Sequence, residues 1–357
     1  MKAHRLGLVV GKFCPLHRGH MHLIQAALDA CDEVLVLSYT KPAFPRCDAL
    51  QREAWLASLF PTARRLVLDD ARLAQACARR GIAPPMPLPA NEAPEPAHRA
   101  FTAWLCWALA DCTVDAVFTS EAYGDGLAAA LAAHFTDWSG RRMQVVHVSV
   151  DPARRAVPVS GTQVRADPQR HRHLLDPIVY ASFVDRICIL GGESSGKTTL
   201  GVALAGALGA ALVPEMGRLY WEAKGGRLVY EDMRAIAEAQ VDEEERLARA
   251  AGRWLVCDGS ALTTAFYSED GYGRVDPAVQ ALAARRYAFC FVCAPDFPFV
   301  QDGTRRDAAF RARQHRWYLE RLARDGVPHA LLEGPVERRL ATALALLRRA
   351  GEGRAGA

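Results

Sequence analysis

Arg186–Leu208 reads RICILGGESSGKTTLGVALAGAL, and its three parts belong to one local structure. Ile187–Leu190 is a short apolar run of strand character, Gly191–Thr198 fits G-x-x-x-x-G-K-[ST], and the residues from Thr198 onward have a helical composition. A glycine-rich turn between a strand and a helix N-terminus points backbone N–H groups at an anion, and the helix end adds partial positive charge. Gly191, Gly192, Glu193, Ser194, Ser195, Gly196 and Thr199 then form a phosphate cradle, Lys197 reaches the β and γ phosphates of ATP, and the Thr198 hydroxyl holds Mg²⁺. A Gly-Ser turn that happens to carry a lysine is the bland alternative, and it leaves the flanking strand and helix without a reason.

Working outward, short β-branched runs alternate with longer helical patterns along the whole chain, the signature of parallel sheets with crossover helices. In the first half, strands are expected to end at Val10, Ser38, Leu68, Ser120 and Val150, with helices beginning near His20, Asp48, His98 and Asp125. In the second half, strands are expected at Ala211–Val213, Trp254–Cys257, Phe289–Cys293 and His329–Leu332. The pattern turns irregular between Asp167 and Ser182, which places a boundary near residue 180 and gives an α/β chain of two domains, 1–180 and 181–357. APPMPLPANEAPEP, ending at Pro96, holds too many prolines for a helix or central strand and reads as an exposed loop.

Composition narrows the function. A net charge of +4 from 44 basic and 40 acidic residues gives no basis for a nucleic-acid surface. The ten cysteines are scattered singly through apolar stretches and read as reduced core residues; the pair Cys290 and Cys293 has no second pair to complete a metal site. The N-terminal apolar run is too short for a signal peptide and no stretch is long enough to span a bilayer, so a cytoplasmic location is expected. Self-association is left open.

Three patches bear on the phosphoryl acceptor. Glu215 and Arg218 follow a short strand, where a carboxylate can hold or deprotonate a hydroxyl. Asp258 ends the strand WLVCD and suits either Mg²⁺ or general-base work. Asp302, Arg305, Arg306, Arg311 and Arg313 crowd one stretch, either a lid whose arginines stabilise a transferring phosphoryl group or a solvated helix face.

A second anion site is expected near the N-terminus. Gly11, Lys12, Phe13, Pro15, His17, Gly19 and His20 fall in VVGKFCPLHRGHMHLI, directly after the first strand. Residues three apart share a helix face, so His17 and His20 converge on one phosphate at the helix N-terminus. Ser160, Thr162 and Arg165 in PVSGTQVRADP suggest a further phosphate contact, though alone this pattern equally describes a helix cap.

GKFCPLHRGH with VSGTQVR resembles the GxFxPxHxGH and SxTxxR motifs of the nucleotidyltransferase superfamily. Together with GGESSGKTTL, VPEMGR and PFVQDGTR in this order, they are similar to the NadR-type family, in which a nicotinamide mononucleotide adenylyltransferase is joined to a ribosylnicotinamide kinase. The resemblance covers nearly the whole chain and extends to TSEAYGD and to Asp151 and Arg154. It implies a Rossmann-like nucleotidyltransferase sheet followed by a P-loop kinase sheet, with catalytic roles for His17, His20, Lys197, Glu215 and Asp258. It also implies metal contacts at Thr198 and Asp258, and substrate or lid contacts at Arg52, Trp55, Ser120, Tyr123, Asp125, Arg218, Asp302, Arg305 and Arg306. Trp104 and Trp107 share with Trp55 the possibility of stacking on a pyridine ring.

The activity so implied is phosphorylation of nicotinamide riboside, then adenylyl transfer from ATP to the mononucleotide, giving NAD and pyrophosphate. Two departures stand out. Enteric members begin with a helix-turn-helix repressor domain, whereas here the first catalytic strand starts within a few residues of Met1, so DNA binding is not implied. The family tends to show Asp-x-Asp after the kinase strand, where this chain has Asp258, Gly259 and Ser260. A transferase for another phosphate ester fused to a different P-loop kinase, and a non-catalytic ATP or NAD sensor, remain as alternative readings.

Overall fold

Short central strands built from Val, Leu, Ile and Phe, buried on both faces, need a helix layer on each side, and the chain supplies it twice. The computed structural model describes residues 2–301 and 306–355, the last five as backbone only. It divides into two compact units, Met1–Ser182 and Phe183–Ala357. Each carries a five-stranded sheet whose pairings are all parallel.

In the first unit the strands are β1 (His4–Val10), β2 (Cys31–Tyr39), β3 (Arg64–Leu68), β4 (Ala116–Thr119) and β5 (Val146–Ser149), in the order β3-β2-β1-β4-β5. The central β1 contributes Leu8 and Val9, both fully buried, and Val9 is in register with Val36 on one side and Phe118 on the other. In the second unit β6 (Asp185–Gly191), β7 (Ala211–Val213), β8 (Trp254–Asp258), β9 (Phe289–Cys293) and β10 (Ala330–Leu332) run in the order β10-β9-β6-β8-β7. Every residue of β6 is buried. In both sheets the chain crosses over at the first strand, so the carboxyl ends of β1 and β6 open onto the crevice where such sheets bind ligands.

Caps mark several helix starts. Asp48 accepts from the Gln51 N–H and Asp69 from Arg72, each interaction contributing about 1 kcal/mol. Asp69 opens the helix Asp70–Arg80, which ends on Gly81 in the left-handed region and was absent from the sequence reading. Its buried residues are only Leu73 and Cys77, so its apolar stripe is short against a polar background.

The proline-rich segment is the loop expected of it and largely exposed, except at Leu88 and Pro89. Leu88 joins the core and Pro89 is buried, while Asn91 is tied to Thr40, Lys41 and Pro42 through its side chain. The following helix starts at Glu95, with Pro96 in the first turn where a missing N–H costs nothing. No helix among the described residues is long and apolar enough to cross a membrane.

Candidate active sites

At the carboxyl end of β6 the chain curls through Gly191 (φ 145°), Ser194 (φ 56°) and Gly196 (φ 79°) before entering the helix Lys197–Leu208. The first and last of these conformations favour glycine. A Cβ on Gly191 would lie 2.7 Å from the Cys293 carbonyl oxygen, so the close approach of β9 also demands it. Lys197 Nζ donates to the Gly192 carbonyl at 3.1 Å. The Thr198 hydroxyl donates to Asp258 Oδ2 at 2.6 Å, while Asp258 Oδ1 is buried without a partner. A hydroxyl beside a carboxylate with an orphaned oxygen fits Mg²⁺, which takes few protein ligands and completes its shell with water and phosphate. Among the described residues no cluster of three or more His, Cys, Asp or Glu is placed to hold a metal ion.

A cleft of about 430 Å³ opens beside this loop. Lys197, Thr198 and Ser260 line its polar end, and Trp221, Leu228, Met233 and Ile236 its apolar wall. Glu215 also lines it, and burial raises the carboxyl's pKa against the opposing charge of Lys197. Glu193 receives the Tyr267 hydroxyl at 2.9 Å and the Arg306 backbone N–H at 2.8 Å, which ties the start of the arginine-rich segment to the phosphate loop. Arg306 pairs with Asp270 at 2.7 Å and Arg218 with Glu222 at 3.2 Å; both line the cleft. Arg311 donates to the Phe297 carbonyl at 2.9 Å, a structural use, and Arg313 lies 3.7 Å from Asp270. Asp302 and Arg305 lie outside the described residues.

In the first unit His17 caps the helix Arg18–Ala30, its Nδ1 accepting from the His20 N–H at 3.3 Å. That bond leaves Nε2 as the proton-bearing nitrogen of the neutral ring. The two imidazoles stack with centroids 3.6 Å apart. Burial, with the nearby charge of Arg154, lowers His17 to about 4. Burial also takes His20 well below its usual value, with His17 beside it contributing. Both rings are therefore neutral near pH 7, and His17 keeps Nε2–H as a donor. Gly19 lets Val159 approach, since a Cβ would meet its Cγ1 at 3.0 Å. His17, His20, Ser120, Glu121, Asp151, Arg154 and Ser160 line a cleft of about 90 Å³.

Around this cleft Ser160 caps the helix Gly161–Ala166, and Arg165 holds the Cys14 carbonyl and the Thr162 hydroxyl, the latter at 3.0 Å. Phe13 is fully buried at φ 49° with its ring edge toward His20, 5.0 Å between centroids. Gly11 is needed there, because a Cβ would meet the Phe13 ring at 2.8 Å. Lys12 is exposed and reaches the Asn91 carbonyl at 3.4 Å.

Several expected substrate contacts are made to other parts of the protein, some of them in the core. Trp55 is fully buried, with its indole N–H on the Ser182 hydroxyl at 3.0 Å, so neither ring face is open to a pyridine. Arg52 is equally buried and donates to the Cys47 and Leu68 carbonyls and the Ser38 hydroxyl, cross-linking β2, β3 and a loop. Tyr123 packs on the core, where burial raises its phenol. Asp125 binds His147. Trp104 packs on Phe101, and Trp107 sits at the surface against Trp138.

Comparison with known proteins bears on both sites. A model of the AAA domain family matches residues 186–339. The protein named trifunctional NAD biosynthesis/regulator protein NadR in Escherichia coli (strain K12) is 28% identical over 312 residues, 84% of this chain and 71% of that one. Its Salmonella typhimurium namesake is 28% identical over 316 residues with the same coverage. The chain is a homologue of NadR. A NadR crystal structure in complex with NAD and AMP-PNP shares the fold at TM-score 0.63 and 19% identity, covering 98% of this chain and 97% of that one. Another, in complex with NR, does so at 0.64 and 20%, covering 98% and 96%.

Sequence reasoning missed parts of the second unit's site in this NadR homologue. Arg339, 1% exposed, holds the Ser195 carbonyl of the phosphate loop at 2.7 Å and pairs with Asp296, from a helix 140 residues downstream whose basic composition resembles any solvated face. Gln240 receives the Met216 N–H at 3.0 Å beside Glu215. Its signal was legible: with Met233, Ile236 and Ala237 it lies on the buried stripe of its helix, where a glutamine requires a partner.

Proposed function

We propose that this NadR homologue makes NAD by two successive transfers from ATP. The second unit phosphorylates the 5′-hydroxyl of nicotinamide riboside, and the first transfers an adenylyl group to the resulting mononucleotide. One observation carries the reading: a single chain builds two anion sites of different chemistry, each at the carboxyl end of its sheet's central strand. The ligands named for the NadR crystal structures, NAD, AMP-PNP and NR, agree with it.

In the kinase step the hydroxyl oxygen attacks the γ phosphorus, ADP leaves, and the hydroxyl proton passes to a base. Glu215 suits that role better than Asp258. Burial makes Glu215 the stronger base, whereas Asp258 is already bound to Thr198 in the metal-holding position. Thr198 and Asp258 would hold Mg²⁺, which neutralises phosphate charge when bound. Lys197 adds a cation beside the phosphates.

In the adenylyl step a phosphate oxygen of the mononucleotide attacks the α phosphorus of ATP and pyrophosphate leaves, so no proton need move. Neutral His17 donates a hydrogen bond through Nε2–H, neutral His20 stacks against it, and Lys12, Arg154 and Arg165 supply charge. The test is to incubate the pure protein with ATP, Mg²⁺ and nicotinamide riboside and identify products by mass. NAD is the expected product; mononucleotide alone removes the adenylyl step, and no turnover removes the whole reading.

A further inference from the structure

Beyond the site residues, the first unit holds a relay of three side chains that the proposed adenylyl transfer does not use. Asp125 Oδ1 lies 2.8 Å from His147 Nδ1, and His147 Nε2 lies 2.9 Å from the Thr119 hydroxyl at the carboxyl end of β4. That hydroxyl also lies 2.9 Å from the Glu121 carbonyl, so its one proton sits between that oxygen and His147 Nε2, which accepts when Nδ1–H is given to Asp125. Thr119 and Glu121 are joined a second time, the Glu121 N–H reaching Thr119 Oγ1 at 3.4 Å.

Glu121 is then held at the rim of the small cleft, where its carboxylate meets Arg154 Nη2 at 3.3 Å. Arg154 lies on a backbone of φ 50°, its other guanidinium nitrogen on the Val159 carbonyl at 3.4 Å, and its charge faces His17 and His20. The chain of contacts thus runs from His147 to the cation beside the imidazole pair.

Space is reserved for this ring. Gly124 has no positive φ to explain it, yet a Cβ there would fall 2.1 Å from His147 Nε2. The glycine of TSEAYGD is required by the histidine of β5, and the aspartate of the same motif is its partner.

We infer that His147 is a positioning residue for the triphosphate of ATP in the first unit, acting through Thr119 and Glu121 to fix Arg154 against the His17–His20 pair. This rests on the adenylyl-transfer reading. It predicts a loss of nucleotide binding that is shared with Arg154.

The test uses the full chain and NAD formation from ATP and nicotinamide mononucleotide. His147→Ala should raise KM for ATP about tenfold with kcat within about twofold, the mark of lost binding common to ground and transition states. Arg154→Ala should do at least as much, and the double variant should be no worse than Arg154→Ala alone, since both remove one interaction. Gly124→Ala should reproduce His147→Ala by displacing the ring. If Gly124→Ala proves unstable, Gly124→Ala with His147→Ala should recover the melting temperature, because the clash is gone, but not the KM.

An unchanged KM for ATP in His147→Ala overturns the inference, and so do effects of His147→Ala and Arg154→Ala that multiply. Equal losses of kcat and melting temperature with KM unmoved would mark the relay as structural only, which also overturns it. Wild-type protein that forms no NAD from the mononucleotide sinks the adenylyl reading itself and this inference with it, a result distinct from an active wild type and an indifferent variant.

Discussion

The proposed anion sites at the ends of β6 and β1 occupy equivalent places in their sheets but use different materials. The first bends its backbone through Gly191, Ser194 and Gly196 and carries its charge on Lys197. The second offers two stacked imidazoles, kept neutral by burial, and leaves positive charge to side chains at the margin such as Arg154 and Arg165. Lys197 places the β6 site's charge on one side chain beside the loop. The β1 site instead presents an oriented N–H whose existence depends on folding around His17. The two halves should therefore respond differently to the same kinds of perturbation.

The largest separation should come from removing one group on each side. Lys197→Ala should lower riboside phosphorylation by at least about 10²-fold and leave NAD formation from supplied mononucleotide intact; His20→Ala should do the reverse by a similar factor. Parallel assays with each substrate check this, and a variant that impairs both reactions equally would break the comparison. Next, Glu215→Gln should reduce kinase kcat about 10²-fold with KM for ATP unchanged. The acid limb of the wild-type pH–rate profile should lie above the ordinary carboxylate range, because burial raises Glu215, and should vanish in the variant.

A smaller effect distinguishes the imidazole site by pH. His17 titrates near 4 in the folded protein against 6.5 in the unfolded chain, so between these values the unfolded state binds more protons. Its contribution is complete above about pH 6.5 and is lost as pH falls toward 4, about 2 kcal/mol of it between pH 7 and pH 5. Urea titrations at both pH values should show at least that loss, and His17→Gln should reduce it by about that amount while the part from His20 remains. Smallest of all on catalysis, Trp55→Phe should leave both KM values for the adenylyl step unchanged while costing about 2 kcal/mol of stability, because the indole fills core space and satisfies Ser182.

The α/β class was legible because its signal is local. Alternating apolar runs, and a glycine-rich loop between strand and helix, state their own structure within about twenty residues. What escaped was long-range. Arg52 and Trp55 share the helix Ala49–Leu59 and look like an exposed cation and a ring for stacking, yet both are buried, Arg52 on β2, β3 and a loop that offer it carbonyls and a hydroxyl, and Trp55 on the distant Ser182. Leu88 and Pro89 were hidden inside a proline-rich run, where composition argues against regular structure but says nothing about burial.

From sequence alone came the pairing of two phosphate motifs with their strands and helices, since spacing along a chain decides which groups share a turn or a helix face. Only tertiary structure decided which remote side chains complete them. Arg339 reaches Ser195, Asp258 meets Thr198, and Asp125 meets His147 and through it Thr119, each across an interval that chain order does not encode. The physical reason is that an unsatisfied buried polar group is costly, so such groups find partners wherever packing brings them, and packing is settled by the whole sheet rather than by any one segment.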